Sequence, residues 1–207
     1  MTLYRSTGIE RRAPAPTPRV DGSFVNTTLG KVDYVAMSGG AFTLATITLV
    51  VDRLYAVPFW APDRPGATIG RLAVENTNAV GGALARIGLY RNVVDRASFY
   101  PGARLADSGD ISMSSTGIQT YALSQELEPN VLYWLALIAN STRVVRAVNT
   151  NVTSQLLGMA QDATGTYPYT NYIYYAGSFG ALPDPWPSGG AYLANAATPA
   201  LRYQFSA

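Results

Sequence analysis

Cysteine and histidine are both missing from this chain of 207 residues, and lysine occurs once, at Lys31. Without thiols there is no disulfide framework, no thiolate nucleophile and no Cys/His zinc site. Without imidazole no Ser-His-Asp triad forms, and the usual general base near neutral pH is lacking. An enzyme built from what remains would depend on carboxylates, Tyr, Lys or an oxygen-ligated metal, which leaves glycoside hydrolysis by paired carboxylates as the main surviving chemistry. Long apolar runs are lacking as well. The longest, Phe42 to Val51, is about half the length of a membrane-spanning helix. The opening stretch MTLYRSTGIERRAPAP carries basic residues with no apolar segment behind them, so no secretory leader and no membrane partner are expected, and synthesis in a cytoplasm is.

What is present argues for a folded chain. Hydrophobic residues make up 48% and charged ones 14%, a balance that favours burial over disorder, and the length suits one substantial core. Residues 1–39 hold Arg5, Arg11, Arg12, Arg19 and Lys31 against Glu10, Asp21 and Asp33, which is five minus three and accounts for the whole net charge of +2. The rest is formally neutral, so the clustered cations that phosphate binding needs are not indicated and no nucleic-acid partner is expected.

Two parts follow from composition: an extended, proline-rich anchoring arm over residues 1–38 and a β-sandwich over 39–207. In the arm, Pro14, Pro16 and Pro18 fix φ and remove donors, which favours an extended spacer. On either side lie residues with something to bury or pair. Leu3, Tyr4, Arg11, Arg12, Phe24 and Tyr34 are the candidate anchoring residues, and docking of such a segment on a partner's surface is the favoured reading. Ser38-Gly39-Gly40 is the expected hinge.

Beyond it the chain reads as strand after strand. The stretch from Phe42 to Trp60 is rich in β-branched and aromatic residues. In TIGRLAVEN, Leu72 and Val74 share one face while Arg71 and Glu75 share the other. In ALARIGLYRN, Ala85, Ile87 and Leu89 point inward. Pro101-Gly102 reads as a corner, and Glu126 to Asn130 as a turn. The run from Val131 to Asn140 is apolar on both faces, so its strand is central in a sandwich or covered by another subunit. In LRYQFSA, Leu201, Tyr203 and Phe205 alternate with Arg202, Gln204 and Ser206. The pattern is that of an all-β, antiparallel sandwich.

Five stretches in order, LYAVPFWAPDRPGATIGRLAVE, ARIGLYRN, YPGARLADSG, TGIQTYALSQELEPNVLYWLALIAN and AGSFGALPDPWP, resemble a jelly-roll-like domain common in virion proteins of tailed bacteriophages. The resemblance covers roughly residues 42–205 and leaves the arm outside. It implies an antiparallel jelly-roll-like β-sandwich that serves as a structural or attachment module, commonly a homotrimer, and it brings no catalytic residues with it. The expectation is a non-enzymatic head-decoration, cement or head-fibre protein of a virion, with no cofactor and no metal, anchored through its arm to the major capsid protein or another virion protein. The alternative is a tail-fibre or receptor-binding module that recognises host-surface glycans through an aromatic loop.

Candidate site residues are few. Tyr133, Trp134, Tyr167, Tyr169, Tyr172, Tyr174 and Trp186 are rings suited to a subunit interface or to stacking on sugars, and for those of the Gly/Pro-rich stretch packing within a trimer or under the loop is favoured over a glycan. Glu126 and Glu128 read as solvated turn carboxylates more readily than as an acid pair. Asp107 and Asp110 read as turn caps, with an oxygen-built calcium site as the sharper alternative.

Overall fold

The computed structural model of the chain describes residues 33–35, 43–93, 99–149, 172–193 and 197–206. Among these there is no helix. The strands are β1 (Asp33–Val35), β2 (Thr43–Leu49), β3 (Arg53–Trp60), β4 (Thr68–Asn76), β5 (Leu84–Asn92), β6 (Pro101–Asp107) and β7 (Ile111–Ser112), then β8 (Gly117–Glu126), β9 (Leu132–Ala139), β10 (Arg143–Asn149), β11 (Tyr172–Ala176), β12 (Ala191–Leu193), β13 (Thr198–Pro199) and β14 (Arg202–Phe205).

Every pairing is antiparallel. One sheet contains the path β2-β10-β4-β8, and the other contains β3-β9-β5 with β6 and β7 following each other along the edge of β5. From β2 to β10 the chain alternates between these sheets except where β5, β6 and β7 stay together. That alternation gives the strand order of a jelly roll, two interlocked Greek keys closed into a sandwich. Additional strands extend it. β11 and β12 continue the second sheet beyond β3, while β14 pairs with β4 and β13 with β10. β10 and β4 meet at one position, Val145 opposite Asn76, and the segment from β13 to β14 lies where they diverge. β1 lies against β14, with Tyr34 opposite Tyr203.

Local chemistry explains where the strands break. The apolar run from Phe42 to Trp60 divides because Asp52 adopts φ 60, a left-handed backbone that a short polar side chain tolerates, and Arg53 N–H closes the turn onto Val50 O at 3.3 Å. β2 and β3 therefore fall in different sheets. Asn130, at φ 57, ends the turn before β9 in the same manner. The expected corner at Pro101-Gly102 is instead the start of β6. Proline fits there because β6 is an edge strand and this is its first residue, so no ladder donor is lost.

Two cores result. Tyr55, Val57, Leu72, Val74, Ile87, Leu89, Leu135 and Leu137 fill the space between the sheets. A second cluster lies on the outer side of the second sheet, where Leu54, Ala56, Tyr90, Trp134 and Ile173 are covered by Leu182 and Trp186. β9 is buried along its whole length because it serves both. Its outer face is covered by residues 177–190 of its own chain, so the expected alternative of cover by another subunit does not apply to it.

Candidate functional site

Of the aromatic residues that sequence reasoning singled out, Trp134 and Trp186 meet in the second core, whereas Tyr133 and Tyr172 are buried in the first and Tyr174 packs against it. The strand period sends Trp134 from β9 and Tyr90 from β5 to the outer face, and both are 0% exposed. Trp186 meets Tyr90 edge-on at 5.2 Å between centroids and an 85° interplanar angle. The covering segment is tied down at points spread along its length. Tyr90 Oη donates to Pro183 O at 2.7 Å, Tyr100 Oη donates to Pro187 O at 2.6 Å, and Gly190 N–H donates to Tyr100 Oη at 2.8 Å. Asn92 Oδ1 accepts from Trp134 Nε1 at 2.9 Å and from the Tyr100 amide at 3.0 Å. Further along, Trp186 N–H donates to Gly102 O at 2.9 Å, and Arg104 donates to Leu182 O.

Charges hold the same segment. Asp107 Oδ2 accepts from the Leu182 amide at 3.0 Å and pairs with Arg86 at 3.2 Å and Arg104 at 3.4 Å. Its other oxygen accepts from Gly109 N–H at 3.0 Å, the local turn expected of it. Asp110 pairs with Arg86 at 2.6 Å. Asp107 is thus committed to arginines and to the chain's own amides, as the turn-capping reading expects of it, while Asp110 is paired with Arg86. At the far end of the segment, Asp52 Oδ1 accepts from Phe179 N–H at 2.8 Å.

Burial sets the acidity of the phenols here. It pushes the Tyr90 hydroxyl upward, with the Arg104 charge opposing, and it raises Tyr172 up to about 12, with the neighbouring Tyr55 adding to the rise. These groups stay protonated through the physiological range and act as hydrogen-bond donors or packing rings, not as bases. Glu128, one of the two turn carboxylates, pairs with Arg91 at 2.7 Å, and Glu126 ends β8 exposed.

The placement corrects part of the sequence reading. Tyr133, Trp134, Tyr172 and Trp186 are at most 4% exposed in the single chain, so from these positions they neither stack on a glycan nor contact a sister subunit. Tyr133 Oη is spent accepting the Glu128 amide at 2.9 Å. Tyr174 is half-buried beneath the guanidinium of Arg53, 4.3 Å from its ring centroid. Tyr167 and Tyr169 lie outside the described residues, as do Leu3, Tyr4, Arg11, Arg12 and Phe24 of the arm. Tyr34 is on β1. The exposed large aromatics among the described residues are ones that sequence reasoning passed over: Trp60 at 38% and Tyr192 at 43%. Alternation in β3 was the available signal for Trp60, since it falls on the face opposite Phe59 at the strand's last position.

In comparisons with known proteins, no protein-family model matches the chain, and no curated protein matches it.

Proposed function

We propose that the protein is a non-enzymatic structural component of a tailed-phage particle: a trimeric head-decoration, cement or head-fibre protein held in place by its N-terminal arm. The observation that carries this reading is the jelly-roll strand order, an architecture that viral capsid and lectin domains use. It is an argument by analogy of fold, and the sequence resemblance points the same way. Two further features support it. β1 seats the base of the arm against β14, so a pull on residues 1–32 is delivered to the body through a hydrogen-bonded ladder. Exposed Leu44, Val50, Val51 and Ile118 offer apolar surface that sister copies or a shell can cover. The mechanism is mechanical: apolar burial between neighbours and arm docking tie adjacent subunits together.

The test is incorporation into particles. Virions made in cells expressing the full-length chain should carry it at a fixed copy number, and immunogold labelling should place it on the head. Full-length Arg11→Ala, Arg12→Ala and Phe24→Ala together should lower incorporation at least about tenfold while leaving the trimer intact in solution. A stable monomer that never enters particles would sink the proposal.

Exposed Trp60 and Tyr192 favour one second reading, a receptor-binding module. It requires glycan binding that Trp60→Ala or Tyr192→Ala abolishes, with labelling at the tail.

A further inference from the structure

Arg143 opens β10 and is 1% exposed. Alternation turns it to the same side as Val145 and Ala147, and its ladder partner is Leu49, each of them 0% exposed, so its guanidinium lies at the end of the first core. Nη2 donates to Ser141 Oγ at 2.8 Å, while Nε and Nη1 have no acceptor among the described residues. The ion pairs among the described residues use Arg86, Arg91, Arg104, Arg146 and Arg202, and Arg143 is in none of them. A guanidinium does not shed its proton in proteins. Burying one without a counter-charge is among the costliest arrangements a core can contain.

A second unpaired group lies at the same end. Asn76 sits opposite Val145, is 1% exposed, and gives its amide protons to Met113 O at 2.8 Å and Ser115 O at 2.7 Å. Those two bonds fix the amide's orientation and leave Oδ1 without a donor. Thr77 Oγ1 donating to Val144 O at 2.8 Å, and Val144 N–H donating to Asn78 Oδ1 at 2.8 Å, close the sandwich over this end.

We propose that Arg143 binds a small inorganic monoanion, chloride by size, inside the sandwich. A water molecule alone would supply an acceptor but no charge, whereas an anion supplies both, and the charge is the larger deficit. Enclosure at 1% exposure excludes a bulky ligand or a partner's side chain. A water accompanying the anion donates to Asn76 Oδ1.

The test uses the full-length protein. Crystals grown with bromide in place of chloride should show anomalous scattering in contact with the Arg143 guanidinium. At constant ionic strength, replacing gluconate by chloride from ~1 to ~100 mM should raise the thermal midpoint by roughly 3–5 °C, nearly flat below ~10 mM and climbing with the logarithm of chloride above it, for a site half-filled near ~10 mM. Arg143→Met should fold, because exchanging a buried charge for an apolar side chain of similar volume is usually tolerated, and its midpoint should ignore chloride. A wild-type midpoint indifferent to halide, or ordinary water density beside the guanidinium with no anomalous signal, overturns the proposal.

Discussion

Glu75 is the point where the outer face of the first sheet is held together electrostatically. Its Oε1 accepts from Arg146 at 2.8 Å and its Oε2 from Arg202 at 2.6 Å, joining β4 to β10 and β14. Hydrogen bonding from Arg146 lowers the carboxyl below its ordinary range, partial burial opposes that, and the Arg146 and Arg202 charges reinforce it. A carboxyl lowered in the folded state contributes stability that is fully present above its unfolded value of about 4.3 and is lost as pH falls through the lower folded value. Glu75→Gln should therefore destabilise the protein by about 1–3 kcal/mol at pH 7, since it leaves two guanidiniums side by side. The gap between variant and wild type in denaturant midpoint should narrow as pH drops below ~4; a gap that stays constant across that range would sink the account. At this scale the sequence was half legible. Alternation put Glu75 and Arg71 outward, yet nothing local indicates that the partners stand 71 and 127 residues away. Arg143 could have been noticed, because in RVVRAV either choice of inward face turns one arginine to the core.

At the scale of elements, β9 was the most legible and its cover the least. An apolar strand with no polar face has to be central, and β9 lies between β3 and β5 as that argument requires. The period fixes which residues share a face; it is silent on what lies against that face. The cover is a Gly- and Pro-rich segment without regular structure, whose docking rests on hydrogen bonds donated by Tyr90 and Arg104 and accepted by Asp107, on strands far away in sequence. Its rings therefore left packing under the loop, a subunit contact and sugar stacking all open, and they form part of the lid of a core. The fit is close at Gly88. A Cβ there would stand 2.3 Å from Leu182 Cδ1 and 2.6 Å from Ala106 O. Leucine can swing aside, but the β6 backbone cannot do so without loosening the β5–β6 ladder. Gly88→Ala should cost about 1–3 kcal/mol, and Leu182→Ala, which opens a cavity above β9, about 2–5 kcal/mol. Both should raise amide hydrogen exchange in residues 177–190 more than in β4. Equal exchange changes in the two regions would show that the segment does not act as a lid on the second sheet.

At the scale of the whole molecule, the second sheet is the common wall of both cores, and this sets how the chain should unfold. Tyr133, Leu135 and Leu137 of β9 pack into the first core while Trp134, Ala136 and Ile138 pack into the second, so losing the strand exposes both at once. The three tryptophans in the chain are distributed unevenly with respect to these cores. Trp134 and Trp186 belong to the second, and Trp60 falls on the outer side of the same sheet, so tryptophan fluorescence reports that side alone. Far-ultraviolet circular dichroism reports the strands of both sheets. If the shared wall couples the cores into one cooperative unit, urea titrations followed by the two probes should coincide. Val74→Ala, in the first core and on the far sheet, should then shift the fluorescence midpoint as much as the dichroism midpoint. A fluorescence transition that precedes the dichroism transition, and that ignores Val74→Ala, would mean that the cover melts on its own. In that case the protein would expose Trp134, Tyr90 and Ile173 under mild stress, and the aromatic surface that the fold hides would become the patch through which copies associate.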